Sequence, residues 1–486
     1  MLRLSSSVKF IRKVAAAVLL PLLASSCQLM MEDYDCETGN DIAKYINISI
    51  SVSVDNDLVT RSPLGGEYGD GAESCKDREN LVNDITLIFY QDDGGINTTS
   101  DDAEVICVKK YAVRPYTDGD LPNNHNHKTG EPTSVQENEV LYTTGDQKLE
   151  ETPLEVGQSY RVLIVANADV EVNIGDKIKT VRDKVFSSIY TGTGIGTNAT
   201  NFVMTSESDA TMSLINPTVK TSSGDNRLVY YFNCAHIERM AARIDYHTIG
   251  ATYDATYGGY VYSTGNGDFY VVTKVTPFNL YQENEYLFKR IQENWTDATP
   301  SINYLGDETL SNYVVDPNTG DKDNTQTFSY QSPITENMDN GYTQAMNSLG
   351  EGQTYEVDGF DNVIIAYPME NTLMPSSHLK KYATGIAFEV KYYANTSAEP
   401  ITRVYYHYLR HQGELATGSY QARQWNELSA DESISSHNPI VPMNYGIVRN
   451  NIYRVSIEGL STIEGTITIR IEEKDWRHVD NPAIYI

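Results

Sequence analysis

An uninterrupted alternation of apolar and polar residues near the start of the chain is the feature that most limits how it can fold. Residues 45–54 read YINISISVSV. The apolar members occupy every second position: Ile46, Ile48, Ile50, Val52 and Val54. Because successive side chains of a strand point to opposite faces, this pattern predicts a half-buried β-strand. At about 3.3 Å per residue it would be roughly 33 Å long, and we expect it at one edge of a β-sandwich.

Composition places the rest of the chain among all-β proteins with long loops. The 486 residues include 33 Gly and 35 Tyr, and polar stretches rich in Gly, Asn, Thr, Ser and Asp separate short apolar runs, which is typical of short strands joined by turns. A chain of this length exceeds one hydrophobic core, so two domains are expected. The formal net charge of -29 argues against nucleic acid as a partner, because the phosphate backbone would repel the protein.

The N-terminus predicts a targeting segment that is not part of the fold. Basic residues precede an apolar run over 14–23, which is too short to span a bilayer permanently. The sequence Leu-Leu-Ala-Ser-Ser-Cys then ends at Cys27 and resembles a bacterial lipobox. We expect residues 1–26 to be a lipoprotein signal peptide and Cys27 to be acylated. The alternative is an ordinary secretory signal with an incidental cysteine.

A basic residue in a turn-like context follows the alternating stretch. Arg61 precedes the sequence Ser-Pro-Leu-Gly-Gly, which starts at Ser62, and Pro and Gly favour turns that a protease can reach. A cut between Arg61 and Ser62 would separate residues 27–61 from the rest of the chain. The alternating strand is therefore either a permanent part of the fold or a temporary occupant that is removed.

Motifs for catalysis or metal binding are weak in this sequence. His125 and His127 lie in a polar loop and His407 and His411 in a predicted strand; we interpret all four as structural residues, not as metal ligands. The loop that starts at Asp316 lacks the terminal Glu of a calcium-binding loop and is interpreted as a turn. The sequence contains no GxSxG motif, P-loop or dinucleotide-binding fingerprint. It predicts no cofactor, no metal and no enzymatic activity.

A group of tyrosines beside several glycines suggests a different function, the binding of sugars on an aromatic platform. Exposed Tyr-rich hairpins of an all-β protein explain the same residues without a ligand. The tyrosines concerned are Tyr253, Tyr257, Tyr260, Tyr262 and Tyr270.

Five features, in their order and spacing, resemble one protein family along nearly the full length of the chain. The lipobox, the alternating strand and Arg61 come first, and short β segments follow: LVNDITLIFY at 81–90, YRVLIVAN at 160–167, HIERMAARIDY at 236–246, and YPMENT at 367–372 followed by ATGIAFEVKYY and by the terminal stretch 449–476. This order resembles the fimbrillins of Bacteroidota type V pili, the major and minor fimbrial subunits.

The resemblance implies two transthyretin-like β-sandwich domains with long loops and a short helix or two. Residues 62–222 would form the first domain and residues 223–476 the second. It also implies assembly by donor-strand exchange, in which a trypsin-like protease removes the first strand and a neighbouring subunit fills the groove. The donor would be the tail 477–486, with Val479, Ile484 and Ile486 as its apolar residues. Ile467 to Ile471 would instead form a permanent strand.

The partners implied are other fimbrial subunits in a head-to-tail polymer, the maturation protease, the outer membrane through the lipid before cleavage, and a surface receptor on a host or bacterial cell. The expected location is the cell surface, first as an outer-membrane lipoprotein precursor and then in the fimbrium, with adhesion as the role. Two alternatives stay open. The chain is either an intact surface lipoprotein that binds glycans, or a tip or anchor subunit, because long insertions lie between residues 250 and 359.

Overall fold

The computed structural model describes residues 42–52, 72–74, 76–91, 101–115, 140–189, 199–206, 209–222, 225–281, 284–293, 302–303, 312–319, 330–331, 353–357, 359–374, 377–409, 445–461 and 466–477. Within these residues the fold is all-β, as the composition predicts. The only helical elements among them are two short α-helices and two 3-10 turns.

The first half of the described elements runs from the N-terminal strand to the longest strand of the chain. These are β1 (Ala43–Val52), β2 (Ala72–Ser74), η1 (Asp77–Glu79), β3 (Asp84–Tyr90), β4 (Val105–Ala112), β5 (Arg114–Pro115), β6 (Val140–Lys148), η2 (Leu149–Glu151), β7 (Ser159–Ala166), α1 (Ile178–Arg182), β8 (Val185–Phe186), β9 (Met204–Ser206), β10 (Ala210–Ser213), β11 (Thr218–Ser222) and β12 (Asp225–Arg239).

The second half begins after a short loop. These are β13 (Arg243–His247), β14 (Thr252–Asp254), β15 (Gly259–Ser263), β16 (Phe269–Phe278), β17 (Leu280–Tyr281), β18 (Glu285–Tyr286), β19 (Ile291–Glu293), β20 (Ile302–Asn303), β21 (Asn312–Val314), β22 (Tyr330–Gln331), β23 (Gln353–Val357), β24 (Phe360–Ala366), α2 (Leu379–Tyr382), β25 (Gly385–Tyr393), β26 (Ile401–Tyr408), β27 (Asn451–Ser461) and β28 (Thr466–Arg477).

Most strands of the first half form one sheet. Its order is β4-β3-β7-β9-β12-β1-β6-β5, and β10 and β11 pair with β7 and β12. Strand β3 is buried along nearly its whole length and pairs on both sides, with β4 and β7, because apolar residues on both of its faces suit a central strand. Residues from β1, β3, β7 and β12 share one hydrophobic core, so the sheet has a sandwich-like arrangement around that core.

Two sheets of the second half pack against each other as a sandwich. One has the order β2-β28-β27-β13-β24-β23 and the other β14-β15-β16-β25-β26. Their core joins Ile244, Val455 and Ile469 of the first sheet to Val272 and Phe388 of the second. Two facing sheets that contribute alternate side chains to one core are the arrangement expected of a β-sandwich.

The stretch from Ile467 to Ile471 forms a strand, and its permanence during assembly stays a prediction. It lies in β28 and pairs antiparallel with β27, with Ile471 opposite Val455. Ile467, Ile469 and Ile471 are buried, because alternation places all three on the core face of the strand.

Pairing of β12 with the first sheet favours a domain boundary later than the predicted one. β12 pairs in parallel with β1 and antiparallel with β9 and β11, so a division between residues 222 and 223 would cut it from its own sheet. The first core includes residues from Ile46 to Ala241, joined by a few from the second half of the chain, and the second core begins at Ala242. We therefore propose the boundary at residues 240–242.

Candidate functional site

Strand β1 lies inside its sheet, so the expectation of an edge position is wrong. It pairs in parallel with β12, where Ile46 faces Tyr230, and antiparallel with β6, where Ile50 faces Tyr142. A period of two in the sequence reports which face of a strand is buried, but it does not report whether both edges of the strand are paired. Removal of β1 would therefore open a groove with hydrogen-bonding strands on both sides.

The inward face of β1 is fully covered. Ile46, Ile48, Ile50 and Val52 are each at most 1% exposed and belong to the first core. Burial of a Val or Ile side chain stabilises a fold by about 1.5–3 kcal/mol, so loss of the four would forfeit on the order of 10 kcal/mol. A domain emptied of β1 would expose an apolar groove, which favours either aggregation or uptake of another strand.

Both neighbours of β1 bulge at the same place. On β6 the register advances three residues, from Asp146 to Thr143, while β1 advances two, from Asn47 to Ser49. On β12 it advances from Phe232 to Ala235 while β1 advances from Ile48 to Ile50. Each flanking strand therefore carries one extra residue, and β1 between them stays regular.

Gly145 makes the bulge on β6 possible. Its φ is 64°, in the left-handed region that Gly adopts without steric cost. The bulge aims Thr144 at the β1 backbone, and the Ile48 amide donates to Thr144 Oγ1 at 3.1 Å. The bulge also places neighbouring residues of β6 around the side chain that precedes Ile48 in β1.

That side chain is Asn47, which occupies a polar niche on the face opposite the isoleucines. Asn47 is 2% exposed, and its amide nitrogen donates to Asp146 Oδ1 at 2.9 Å. Thr143 Oγ1 donates to Asn47 Oδ1 at 2.8 Å and accepts the Gly145 amide at 3.0 Å. We call Thr143, Thr144 and Asp146 the Asn47 niche. Both ends of the Asn47 amide are satisfied there, as a buried amide requires.

Lys220 of β11 closes the niche from outside. Its Nζ donates to both carboxylate oxygens of Asp146, at 3.0 and 3.1 Å, and lies 5.3 Å from the centre of the Tyr231 ring. Partial burial lowers the pKa of Lys220, but the hydrogen bonds to Tyr231 and Asp146 outweigh that effect and the net pKa is raised. Lys220 therefore remains charged where it pairs with Asp146, beside Asn47.

The chain downstream of the predicted cleavage site is anchored to the other sandwich. β2 pairs in parallel with the end of β28, and Glu79 just beyond it is fully buried. Arg243 Nη1 donates to Glu79 Oε2 at 2.9 Å and Arg243 Nη2 donates to Asp245 Oδ2 at 2.7 Å. The Tyr367 hydroxyl donates to the other Glu79 oxygen. A cut at Arg61 would therefore leave the new N-terminal region bound while β1 became a separate peptide.

The sequence pattern predicts the inward-facing residues of β1 but does not predict the Asn47 niche. Asn47 is the one amide between the β-branched residues, and Gly145 interrupts the strand pattern of β6, which is a sign of a bulge. The two hydrogen-bonding partners of Asn47 lie 96 and 99 residues away from it along the chain, so no local sequence pattern connects them. Seven predicted site residues lie outside the described part of the chain: Cys27, Val54, Arg61, Ser62, Val479, Ile484 and Ile486.

The part of the chain that forms this groove matches a known protein family. Residues 49–235 match the family model for the major fimbrial subunit protein (FimA). The match begins within β1 and ends within β12, beyond residue 222. Residues 49–235 belong to the fimbrillin family. The resemblance read from the sequence is thereby confirmed.

Solved structures align with nearly the whole chain but at low similarity. The tip fimbrial protein Mfa3 from Porphyromonas gingivalis with a C-terminal truncation is 12% identical, with 89% of this chain and 100% of that chain covered and a TM-score of 0.39. A putative cell adhesion protein from Parabacteroides distasonis is 12% identical, with 90% and 100% covered and a TM-score of 0.39. A fimbrilin (FimA) from Porphyromonas gingivalis is 14% identical, with 91% and 99% covered and a TM-score of 0.38. No curated protein sequence matches significantly.

The tyrosines proposed as a sugar platform have different surroundings in the structure. Tyr260 and Tyr270 are buried in the second core, and the Tyr262 hydroxyl lies 2.6 Å from that of Tyr246. Tyr253 is 42% exposed, and Tyr257 packs edge-on against Phe269 and Tyr393. Three of the five rings therefore serve the core, because Tyr262 also packs against it and alternate residues of a strand face the same side.

Of the other polar residues considered from the sequence, His407 and Asp316 have structural surroundings, whereas His125, His127 and His411 lie outside the described residues. His407 is fully buried in β26. Asp316 accepts the amides of Asn318 and Thr372, both at 2.8 Å, as expected of a turn. Among the described residues no group of three or more His, Cys, Asp or Glu side chains is arranged to hold a metal ion. The described residues also include no helix long and apolar enough to cross a membrane.

Proposed function

We propose that this fimbrillin is a structural subunit of a cell-surface fimbria that serves adhesion. It is exported as a lipoprotein acylated at Cys27 and held at the outer membrane. A trypsin-like protease then cuts between Arg61 and Ser62 and releases the strand that carries Ile46, Ile48, Ile50, Val52 and Val54. The proposal is supported by the position of β1. Strands β12 and β6 pair with its two edges, and the predicted cleavage site follows it in the chain.

Polymerisation follows by strand exchange. The emptied groove between β12 and β6 accepts a strand from a neighbouring subunit, and the tail 477–486, with Val479, Ile484 and Ile486, is donated onward. Strand addition of this kind restores the main-chain hydrogen bonds of both edges. Because donor and acceptor are different surfaces, repetition produces an open filament and not a closed ring.

Substitution of the predicted cleavage residue tests this proposal. Arg61→Ala should leave acylated monomers at the cell surface and few or no filaments, and Arg61→Lys should restore filaments because a trypsin-like protease accepts both basic residues. Filament content is measured by sodium dodecyl sulfate electrophoresis of unheated surface extracts. Filaments of normal abundance from Arg61→Ala would contradict the proposal and favour an intact surface lipoprotein. A subunit that keeps its lipid within filaments would instead be an anchor subunit.

A further inference from the structure

The groove around β1 is irregular at one place along its occupant. The extra residues of β6 and β12 lie opposite the same stretch of β1, from Asn47 to Ile50. A strand displaced by two residues would keep its apolar face inward and would present another backbone N–H to Thr144 Oγ1. Apolar alternation and the bulges therefore leave such two-residue slips open, and the register must be fixed by a side chain of the occupant.

The Asn47 niche makes that register depend on the identity of one side chain. Asn47 connects the Thr143 hydroxyl to the Asp146 carboxylate through two hydrogen bonds of 2.8 and 2.9 Å. Thr143 is fully buried. An apolar residue at this position would bury the niche without its hydrogen-bonding partner, which costs about 1–3 kcal/mol for each group left unsatisfied.

The tail of this chain does not fit its own groove in the direction that β1 takes. If Ile484 and Ile486 replace Ile50 and Val52, Pro482 takes the place of Ile48. Proline has no N–H to donate to Thr144 Oγ1.

The two other registers of the tail fail at the niche. If Ile484 and Ile486 replace Ile48 and Ile50, Ala483 takes the position of Asn47 and offers no hydrogen bond. If they replace Ile46 and Ile48, Tyr485 takes that position, where the side chain is 2% exposed and an aromatic ring would overfill the space. No register of the tail supplies both the amide at the Asn47 position and the N–H of the next residue.

We propose that the Asn47 niche selects the strand that fills this groove after cleavage, and that this strand comes from a subunit of different sequence. The incoming strand carries β-branched residues at the positions of Ile46, Ile48, Ile50 and Val52 and a short amide side chain at the position of Asn47. This inference rests on the proposed strand exchange. It goes further, because it assigns the choice of partner to three residues of β6.

Peptide replacement tests the inference on the whole chain. The chain from Gln28 onward is prepared with residues 58–62 replaced by the recognition site of a specific endoprotease, and it is cut there. A fluorescent peptide with the β1 sequence AKYINISISV is then added in excess in mild urea, the urea is diluted, and incorporation is followed by fluorescence anisotropy. Peptides carrying Asn47→Ala or Ser49→Ala form a matched pair on the same face, and the peptide 477–486 represents the chain's own tail.

The expected order of affinity separates the inference from the proposal beneath it. Asn47→Ala should weaken incorporation about tenfold or more and Ser49→Ala less than about threefold, because only the first removes the niche hydrogen bonds. Thr143→Val in the protein should shrink the difference between the native and Asn47→Ala peptides. The tail peptide should incorporate about tenfold more weakly than the β1 peptide or worse.

Three results would overturn these expectations. Equal incorporation of the native and Asn47→Ala peptides would refute selection by the niche and leave strand exchange intact. A tail peptide that binds as tightly as the β1 peptide would refute the need for a different subunit. Failure of the native β1 peptide to enter the cut protein would refute strand exchange itself.

Discussion

At the scale of single residues, a buried polar cluster around Glu79 joins residues from both halves of the chain. Burial raises the pKa of Glu79, but Arg243, the hydrogen bonds from Tyr367 and Lys76, and Arg239 outweigh that effect, so the net pKa lies below its usual value. Glu79 is therefore ionised in the folded protein. A carboxylate in such surroundings stabilises the fold only while it remains ionised.

We expect Glu79→Gln to lower the free energy of unfolding by about 3–5 kcal/mol at pH 7, because it leaves Arg243 buried with less compensating charge. The depressed folded pKa means that the contribution of Glu79 is present above its unfolded pKa and is lost as the pH falls through its folded pKa. Urea unfolding at pH 7 and at about pH 3.5 measures both effects. Glu104→Gln, which removes an exposed partner of Lys177, serves as control and should change the free energy by less than about 1 kcal/mol. An equal loss in both variants would contradict the assignment.

A second buried cluster gives two glutamates opposite roles around one arginine. Arg449 donates to both oxygens of Glu370 at 2.9 Å, whereas Glu285 has one oxygen 3.2 Å from Arg449 Nη2. Burial, together with Glu370 and Asp316, raises the pKa of Glu285 well above its usual value despite Arg449. Glu370 thus makes the two-pronged contact with Arg449, and Glu285 keeps its proton to a higher pH than an ordinary glutamate.

Glu285→Gln should change the free energy of unfolding at pH 7 by no more than about 1 kcal/mol or increase it, and Glu370→Gln should decrease it by about 3–5 kcal/mol. A carboxyl group with a raised folded pKa favours folding more as the pH falls from neutrality toward its unfolded pKa. Glu285→Gln should therefore remove part of any gain in stability between pH 7 and pH 5. Urea titrations of both variants at these two pH values provide the measurement. A greater loss from Glu285→Gln than from Glu370→Gln would reverse the assignment.

At the scale of strands and sheets, alternation and apolar runs predict the existence of most strands but not their neighbours. The patterns of β1, β3 and β28 identify those strands correctly, and α1 and α2 agree with the short helix or two that the resemblance implies. The interior position of β1 and the membership of β12 in the first sheet depend on a parallel pairing between strands about 180 residues apart. Local sequence carries no record of such pairings, which is also why the Asn47 niche is visible only in the folded protein.

The bulge at Gly145 leads to a prediction at the same scale. Space is open around a Cβ atom at Gly145, so the cost of substitution comes from its φ of 64°. Gly145→Ala should reduce the free energy of unfolding by about 1–2 kcal/mol, and Gly145→Asn should cost less because Asn tolerates the left-handed region. Urea unfolding compares the two variants. Equal losses would indicate that the backbone conformation at the bulge is not the cause.

At the scale of the whole molecule, the cut predicted at Arg61 would separate β1 from a segment that has its own attachments to the fold. β1 is held by one groove, whereas the chain after the cut is held by β2 on β28 and by Glu79. The first core also includes Ile364 and Ile452 from the second half of the chain, so the two sandwiches share core contacts besides those of β1. This organisation suits a subunit that is exported closed and then opened for assembly.

Peptide mapping of the assembled filament tests the central claim most directly. Filaments sheared from the cell surface are digested and analysed by mass spectrometry, with the secreted precursor of the Arg61→Ala variant as reference. We predict that filament subunits begin at Ser62 and contain no peptide from 43–52, while the reference contains it in full amount. Filament subunits that retain residues 43–52 in full amount would contradict the account, because β1 would then be a permanent strand.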